Sequence, residues 1–560
     1  MNLGSLDNEV SVVSVGLPNM RTVLQNAQVF TGSNVDSEKL KHTCMVINDD
    51  LIEHVGSKED DAVVAATKDG ARLVDLTGHT LAPGFVDGHM HLLMFGTSLQ
   101  KISIDHCQCL EEIQSTIWEA AKKDRISTRL MCCGWMHFMT DGKALASDLD
   151  GLDELDRPIF IDSKDLHSCW CNTAALREMG VQDMPDPPGG EIQRDDKGIA
   201  TGLLSEAAAV AIVWPHLAKV ASMEEKLTAI SDAIKTYNAS GYTGMVEMAT
   251  DENIWEALLE FRSRERLSVR LAMHWLIYPS KTDEENLRQV DRAIELWQKY
   301  NLETSPDFRI AGIKVIGDGV VDACTAALLE PYTKNGVSCG PLWDADMLKQ
   351  VVHKADAAGL QCALHAIGDA TVKMAIDILE GVSSSGRRHR IEHLELTSPG
   401  DAKRLQEAGI TASVQAVHAD PAILREWTSL LGEKRRGRAF AYREFLDEGV
   451  SLALGTDAPT APNLPLPNMY IATTRRSARE PESTEVVNRH FALPLLSAFS
   501  AATYGAAYSC FMDTITGRLA PGMKADFVVL DMQWAPETLL QAKVLQTWFD
   551  GKKVFDAEEL

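Results

Sequence analysis

The sequence has no uninterrupted apolar run of about 20 residues, the length that a membrane-spanning helix needs. It is also short of positive charge: 54 lysines and arginines stand against 80 acidic residues, a formal net charge of −26. That balance argues against nucleic acid and anionic membranes as partners, because both attract basic surfaces. A basic leader is missing too, so the short apolar patch at 10–15 makes a poor signal peptide and the sequence predicts a cytoplasmic protein.

None of the eleven cysteines forms a C-x-x-C pair. The close pairs are spaced more tightly than zinc ligands usually are. We therefore expect reduced thiols that are mostly buried, as free cysteines commonly are. These pairs are Cys107 with Cys109, Cys132 with Cys133, and Cys169 with Cys171.

Apart from an alternation of strands and helices, the chain shows no internal repeat. Its 560 residues, 45% of them hydrophobic, are enough for two or more domains. Short apolar runs punctuated by turn residues predict strands near both ends. They lie at 23–24, 28–30, 44–47, 51–55, 73–76 and 527–530, with a hairpin at 546–555 that turns at Asp550-Gly551. We expect residues 1–80 and 510–560 to form one small β-sandwich domain together.

Between these ends, apolar strands alternate with helical periodicity, a pattern typical of a parallel sheet or barrel. Eight such units predict an α/β fold, a (β/α)8 TIM barrel over residues 81–509. The strand candidates are 81–92, 244–248, 269–275, 310–316, 361–365, 388–393, 410–415 and 450–457. The first unit is oversized, and its insertion at about 93–223 should overhang the C-terminal mouth of the barrel, where active sites of this fold lie.

The first predicted strand delivers two histidines, His89 and His91, two positions apart. Residues two apart on an extended strand point to the same face, so both imidazoles can reach one point in space. Neutral imidazole is the commonest protein ligand for zinc-like metals. A chance pair on a surface turn is the alternative, and the rest of the chain has to supply further ligands.

Further candidate ligands stand at the ends of other predicted strands: His365 on the fifth, His393 on the sixth and Asp457 on the eighth. Taken singly, either histidine could be a hydrogen-bonded core residue, and Asp457 could cap a helix. Lys314, inside the apolar fourth strand, needs a partner or a changed charge. Because the C-terminal ends of barrel strands face one cavity, the set together predicts a metal site.

This set resembles the amidohydrolase superfamily, and more closely its YtcJ-like branch, the family of N-substituted formamide deformylase. The matching motifs span nearly the whole chain. They include PGFVDGHMH at 83–91, DRP at 156–158, TAALLEPY at 325–332, HAIGD at 365–369, RIEH at 390–393, GTDAP at 455–459 and GRLAPGMKAD at 517–526. The combination is specific for the fold and the metal site, but only weakly for the substrate, because one fold hosts many reactions.

The resemblance implies how the metal would be held. His89 and His91 would hold one divalent ion, most plausibly zinc, and His365 and His393 a second. Lys314 would be carbamylated, and its new carboxylate would bridge the two ions. An arrangement with one metal and an ordinary Lys314 is the alternative.

By the same resemblance, Asp457 would bind the first metal and carry the proton of the attacking water. The chain departs from the family at Thr456, where serine is frequent, and at Ala416, where proline is frequent. Neither change touches a ligand. The implied activity is metal-dependent hydrolysis of an amide-type C–N bond in a small molecule. The alternatives are a deaminase, decarboxylase, lactonase or isomerase reaction in the same cavity, or a non-catalytic regulatory protein; a homodimer is an assembly that the sequence leaves open.

Four residues are candidates for contacts with the substrate. His167, in the insertion, is a candidate catalytic residue that would orient the substrate, and a surface-loop histidine is its alternative. Trp135 and Trp170 would line the pocket, with ordinary packing as an equal alternative. Asp318, which belongs to the matching motifs, is the fourth.

Overall fold

The computed structural model describes residues 21–32, 42–164, 168–187, 190–206, 208–382 and 386–559, apart from the side chains of residues 210 and 211. Its central sheet has eight parallel strands, arranged side by side in chain order. Barrel strands 1 to 8 are Phe85–Met90, Tyr242–Thr250, Arg270–Ile277, Phe308–Ile316, Gln361–Ala366, Arg390–His393, Thr411–Val414 and Leu452–Leu454. All eight coincide with predicted strands, so the predicted TIM barrel is confirmed.

Strands 1 and 8 approach each other closely at Gly455, which directly follows strand 8. A Cβ atom at Gly455 would lie 2.5 Å from the backbone nitrogen of His89, so no larger residue fits there. Two backbone hydrogen bonds continue the contact towards the mouth. The Asp457 N–H donates to the His89 carbonyl at 2.7 Å, and the His91 N–H donates to the Ala458 carbonyl at 2.9 Å. The chain therefore brings the candidate ligands of strands 1 and 8 side by side.

Helices follow the strands. They are Leu92–Leu99 and Met223–Ala239 after strand 1, Glu252–Arg264 after strand 2, Asp283–Lys299 after strand 3, Ala345–Ala358 after strand 4, Asp369–Glu380 after strand 5, Asp401–Glu407 after strand 6, Trp427–Leu431, Glu433–Arg436 and Tyr442–Asp447 after strand 7, and Pro465–Thr474, Leu495–Ser500 and Ala506–Ser509 after strand 8. Residues of the last helix pack with Val86, Ala272 and Ala363 from inside the barrel. Because those residues lie early in their strands, this helix closes the end opposite the mouth.

The helix Ala345–Ala358 shows why the sequence folds this way. Asp344 caps its start by accepting hydrogen bonds from the first free backbone N–H groups. Gly359, with a φ of 101°, ends it in the left-handed conformation that glycine adopts without strain. Between these signals, Val351 and Val352 are fully buried against the sheet, so the predicted amphipathic helix forms.

Strands from both ends of the chain form two further sheets, as predicted for the β-sandwich. One sheet holds Thr22–Gln25, Cys44–Asn48, Leu51–Gly56 and Arg72–Asp75; the other holds Gln28–Val29, Thr80–Pro83, Phe527–Asp531, Lys543–Phe549 and Lys552–Asp556. A single buried cluster joins Leu24 and Met45 to Phe527 and Trp548. The helix Asp61–Lys68 packs beside it. The domain boundaries at residues 80 and 510 stay predictions.

The insertion contains a sheet that the sequence did not predict. Its six strands are Ile102–Ser103, Leu130–Trp135, Ile159–Ser163, Ser168–Cys171, Gly190–Arg194 and Ala200–Glu206, with helices Leu110–Lys123, Thr173–Met179 and Trp214–Val220. The sheet has its own apolar clusters, separate from the barrel core. Gly96 in the helix Leu92–Leu99 lies so close to Ala229 that a Cβ atom would fall 2.0 Å from the Ala229 carbonyl oxygen. That helix therefore packs on the barrel, and the predicted start of the insertion at residue 93 falls inside it.

The cysteines are all free thiols, and each is buried or half-buried, which confirms that prediction. None of the described helices is long and apolar enough to cross a membrane.

Candidate metal centre

Three predicted ligands meet where strands 1 and 8 end. The His91 Nε2 atom lies 3.1 Å from Asp457 Oδ1, and the His89 Nε2 atom lies 3.4 Å from the same oxygen. His89 and Asp457 are buried, and His91 is half-buried. Two nitrogens and one carboxylate oxygen thus converge at the barrel mouth.

The histidines of strands 5 and 6 lie beside this group. The ring centres of His365 and His393 are 4.3 Å apart, and those of His89 and His393 are 4.9 Å apart. One ligand atom from each of His89, His393 and Asp457 can be chosen so that all three lie within 4.8 Å of one another. The Nε2 atom of His365 and the Nδ1 atom of His393 are buried without a hydrogen-bond partner. Such unsatisfied nitrogens are costly unless something binds them.

Burial sets the charge of these side chains. It lowers the pKa of His89 to about 4, with help from the Lys314 charge, and that of His365 to about 3 for the same two reasons. Burial alone would raise the pKa of Asp457, but the imidazoles of His89, His91 and His393 hold it well below its ordinary value. Near neutral pH, His89 and His365 are therefore neutral imidazoles beside an ionised carboxylate. These are the protonation states that a zinc ligand must have.

Lys314 projects from the inner face of strand 4 and is 2% exposed. Burial lowers the pKa of its amine to about 8, while the carboxylates of Glu392 and Asp457 oppose that shift. A neutral amine is therefore within reach near neutral pH, and only that form can react with carbon dioxide to give a carbamate.

Sequence reasoning missed two charged residues on strand 6. Glu392 accepts a hydrogen bond from Arg390 and places its Oε2 atom 2.7 Å from His89 Nδ1. Burial alone would raise the pKa of Glu392, but the Arg390 charge and His89 hold it well below its ordinary value. The contact fixes the His89 ring and leaves Nε2 free to face Asp457, as a carboxylate behind a metal-binding histidine does. The signal was available, because Glu392, like Lys314, is a charge inside a short buried strand.

Glu247, a charged residue inside the buried strand 2, was also not predicted as part of the site. Its Oε2 atom accepts the Leu92 N–H at 2.5 Å, and its Oε1 atom lies 4.0 Å from His91 Nδ1. Burial raises the pKa of Glu247 to about 7. The Leu92 contact ties the carboxylate to the start of the helix Leu92–Leu99, next to His91.

His418 and Glu395 also lie at the mouth and were not predicted. His418 follows strand 7, and its ring stacks on His393 at 6.0 Å. Its Nδ1 atom lies 3.4 Å from Glu395 Oε1, and its Nε2 atom lies 3.7 Å from Asp457 Oδ2. A histidine just past a strand end was the available signal for His418.

Two of the predicted substrate contacts, Trp135 and Trp170, lie in the insertion core, whereas Asp318 Oδ1 lies 3.5 Å from His365 Nε2. Trp135 and Trp170 have no exposed surface and pack together in the insertion core, with ring centres 5.6 Å apart. Their packing corresponds to the alternative stated for them and does not favour a role in substrate binding. Asp318 receives backbone N–H groups from Ile367 and Gly368, and a third from Ala327, so it fixes two loops. Its substrate role, like that of the tryptophans, stays a prediction.

His167 lies outside the described residues.

The donor set fits a zinc-like ion. Zinc prefers imidazole nitrogen and carboxylate oxygen, with three protein ligands at catalytic sites. His89, His393 and Asp457 supply that number with donor atoms within 4.8 Å of one another, His91 Nε2 lies 3.1 Å from Asp457 Oδ1, and the unsatisfied Nε2 atom of His365 lies beside them. A bound cation would also balance the buried charge of Asp457.

The eight-stranded barrel, with histidines and a carboxylate at its mouth, defines a class: the TIM-barrel hydrolases that gather metal ligands at the C-terminal strand ends. The chain belongs to the amidohydrolase family, which matches residues 72–555.

Relatives agree with that assignment and confirm the branch predicted from the motifs. The chain is 27% identical to the putative amidohydrolase YtcJ of Bacillus subtilis, over 86% of this chain and 90% of that protein. It is 24% identical to the N-substituted formamide deformylase of Arthrobacter pascens, over 93% of this chain and 97% of that one. A metal-dependent hydrolase from Pyrococcus furiosus has the same fold, with a TM-score of 0.76 and 24% identity over 92% of this chain and all of that one.

Proposed function

We propose that this amidohydrolase cleaves an amide-type C–N bond of a small molecule with the help of a bound zinc-like divalent metal. The observation that carries the proposal is the convergence of His89, His91 and Asp457 at the barrel mouth, with a neutral His89 beside an ionised carboxylate. The choice of bond is supported by the name of one relative, the N-substituted formamide deformylase, whose full length this chain nearly covers.

In this proposal His89, His91 and Asp457 hold the first ion. The family resemblance assigns a second ion to His365 and His393, with Lys314 as a carbamate between the two. When bound, the metal polarises the scissile carbonyl and lowers the pKa of water towards about 7. The lowered pKa of Lys314 supports the carbamate, because its neutral amine is accessible near neutral pH.

Asp457 is the proposed proton carrier. Its carboxylate is ionised, so it can accept the proton of the attacking water and return it to the leaving amine. It is 7% exposed at the mouth. Glu392 keeps the His89 ring in the orientation that leaves Nε2 towards Asp457. The surrounding burial excludes bulk water from both groups, which strengthens their electrostatic effect.

The test is a comparison of metal-loaded and chelated protein on a panel of N-formyl amines, N-acyl amines, lactams and lactones, with both products identified. We expect activity on the first two classes, release of an acid and an amine in equal amounts, and loss of turnover on chelation that zinc restores. Turnover that survives complete metal removal would contradict the metal requirement. Activity confined to lactones would contradict the proposed hydrolysis of a C–N bond, while the metal requirement would still stand.

A further inference from the structure

A polar side chain that the proposed reaction does not use stands at the C-terminal end of strand 7. Gln415 directly follows Val414, the last residue of that strand, and is 1% exposed. We propose that Gln415 binds the scissile amide: Oε1 accepts the substrate N–H and Nε2 donates to the substrate oxygen, so the substrate class is amides that carry an N–H. The inference rests on the proposed amide hydrolysis and names a residue that selects its substrate.

The side chain of Gln415 points into the barrel. Arg390, which also bonds Glu392, donates to Ser413 Oγ at 2.6 Å, so Ser413 faces the interior. Residues two apart in an extended chain share a face. Gln415 keeps an extended backbone, with φ and ψ of −120° and 92°. It therefore faces the same side as Ser413, two residues nearer the mouth.

The neighbours of Gln415 place it beside the metal centre. Val414 pairs with Leu454 of strand 8, which brings Gln415 next to Gly455. Gly455 lies so close to strand 1 that a Cβ atom there would fall 2.5 Å from the backbone nitrogen of His89. Gln415 therefore lies at the level of His89 in the barrel.

The amide of Gln415 has no hydrogen-bond partner in the protein. Its Oε1 and Nε2 atoms are both buried and unsatisfied, and among the described residues no other side chain has two such atoms. Single unsatisfied atoms occur elsewhere in the chain, so the inference needs the position at the metal centre as well. His89 and Lys314 are as deeply buried as Gln415, so a substrate that reaches the centre also reaches this depth.

Gln361 shows the same side chain in a structural role. It is also 1% exposed and lies at the start of strand 5. Its Oε1 atom accepts from His274 Nε2 at 2.9 Å, and its Nε2 atom donates to the Ser509 carbonyl at 2.9 Å. Protein groups thus use both ends of the Gln361 amide, whereas both ends of the Gln415 amide are left for a ligand.

An amide side chain is complementary to an amide substrate. In Gln415 and in the scissile bond alike, the oxygen and the nitrogen are attached to one carbon, so the spacing of donor and acceptor is similar. Glutamine offers an acceptor for the N–H and a donor for the oxygen. Donation to that oxygen strengthens as it gains negative charge in the tetrahedral state. An ester or lactone has no N–H and would leave Oε1 unpaired, which weakens its binding.

The experiment compares N-butylformamide with butyl formate, in which an oxygen replaces the N–H. The value of kcat/KM is measured for each compound with zinc-loaded full-length protein. Gln415→Met keeps the length of the side chain but has no strong donor or acceptor. We expect it to lose ~100-fold on the amide, the scale for removing a donor to a developing oxyanion. The loss on the ester should be smaller by ~10-fold or more, because the ester never made the N–H contact.

A second measurement separates substrate binding from a structural role. Urea unfolding of the metal-free protein should show a higher midpoint for Gln415→Met than for the wild type, because methionine removes the cost of a buried, unpaired amide. Gln361→Met is the matched control. It breaks satisfied hydrogen bonds, so its midpoint should fall, while its ratio of kcat/KM on amide and ester stays that of the wild type. Gln415→Leu repeats the test if the methionine variant does not fold.

The outcomes separate this inference from the proposed function. Equal losses on amide and ester, or a lower unfolding midpoint for Gln415→Met, would make Gln415 a structural residue and overturn the inference, with the amide hydrolysis still standing. Loss of zinc from Gln415→Met would assign the side chain to the metal and would also overturn it. A wild type that does not cleave N-butylformamide overturns both the inference and the proposed function.

Discussion

The barrel buries ionic groups at both ends, and the two groups differ in how they are satisfied. At the start of strand 3, the guanidinium of Arg270 lies among the carboxylates of Asp526, Asp550 and Asp307. At the opposite end, histidines surround Asp457 while their neighbours keep nitrogens without a partner. The first group ties the barrel to the C-terminal strands of the sandwich, and the second lies where active sites of this fold occur.

The group around Arg270, which we call the lower group, lies at the end of the barrel opposite the mouth. All its charges are paired within the chain. Arg270 Nε donates to Asp526 at 2.9 Å and Nη2 donates to Asp550 at 2.5 Å, while the Asp550 N–H also donates to Asp526 at 2.9 Å. Burial alone would lower the pKa of Arg270, but the charges of Asp526 and Asp307 raise it. Every charge there has a partner from the chain itself, which is what a structural role requires.

The mouth group is incomplete without a ligand, and Lys314 shows it most clearly. The pKa of Arg270 is raised by its partners, whereas that of Lys314 is lowered to about 8 because its burial outweighs the attraction of Glu392 and Asp457. The lesson is that buried charge alone does not indicate function. At the mouth, the unsatisfied nitrogens belong to His365 and His393, two predicted metal ligands, and it is this combination that favours a binding site there.

Breaking the lower group should give the largest change in stability. Arg270→Met leaves Asp526 and Asp550 buried without their cation, and we expect a loss of about 3–5 kcal/mol in the free energy of unfolding. Turnover per folded molecule should not change, because the group is at the end opposite the mouth. Urea unfolding followed by circular dichroism measures the first quantity. Arg264→Met, at a side chain that is 46% exposed, is the control and should stay within about 0.5 kcal/mol of the wild type. A stable Arg270→Met protein would show that the group is not structural.

Replacing the buried basic residue at the mouth with methionine should instead raise the free energy of unfolding. The pKa of Lys314, lowered from 10.5 to about 8, means that wild-type stability falls as the pH drops from 10.5 to 8 and stays low below that. Lys314→Met removes this cost, so the metal-free variant should be more stable at pH 7 by about 3 kcal/mol. It should also lose activity. Unfolding in carbon-dioxide-free buffer at pH 7 and pH 10.5 checks this, and the advantage should vanish at the higher pH. A variant less stable than the wild type at pH 7 would refute it.

A substitution at Asp457 tests the catalytic role of the mouth separately from its contribution to folding. Asparagine keeps the size and an acceptor oxygen but cannot take a proton at neutral pH. Asp457→Asn should keep its fold and much of its metal, yet lose about 100-fold or more in turnover, the scale for a missing general base. Metal content, circular dichroism and turnover are measured on one preparation. Near-normal turnover would mean that another residue carries the proton, and complete metal loss would make Asp457 chiefly a ligand.

The barrel and most of its ligands could be predicted because they are local features. Each strand is a short apolar run, and His89, His365, His393 and Asp457 stand at strand ends, where a parallel barrel must bring them together. Their convergence needed no knowledge of side-chain contacts. The hairpin turned at Asp550-Gly551 was likewise local: both residues adopt the left-handed φ that this turn requires, 48° and 68°.

Other features depend on pairings between distant segments. The contact of His89 with Glu392 joins residues 303 positions apart, so nothing near either one in sequence announces it. The insertion sheet has strands as short as Ile102–Ser103, below the length at which apolar alternation can be recognised. Trp135 and Trp170 then looked like pocket residues, because the sheet that buries them was not foreseen.

The smallest effect concerns Asp87, which supports the mouth from behind. It accepts hydrogen bonds from the Thr456 hydroxyl at 2.5 Å and from the Tyr237 hydroxyl at 3.0 Å. Burial raises its pKa to about 6 despite these donors, so wild-type stability declines as the pH rises from 4 through 6. Thr456→Val removes one donor to a buried carboxylate and should cost about 1–3 kcal/mol at pH 7.

Thr456→Ser provides the matched comparison, because it keeps the hydroxyl and removes one buried methyl group. We expect it to cost about 1 kcal/mol or less. The pH profile distinguishes a lost hydrogen bond from lost packing. In Thr456→Val the pKa of Asp87 should rise further, so the decline in stability should extend to higher pH than in the wild type, while Thr456→Ser keeps the wild-type profile. Equal profiles for the two variants would mean that the Thr456 hydroxyl does not stabilise the Asp87 carboxylate.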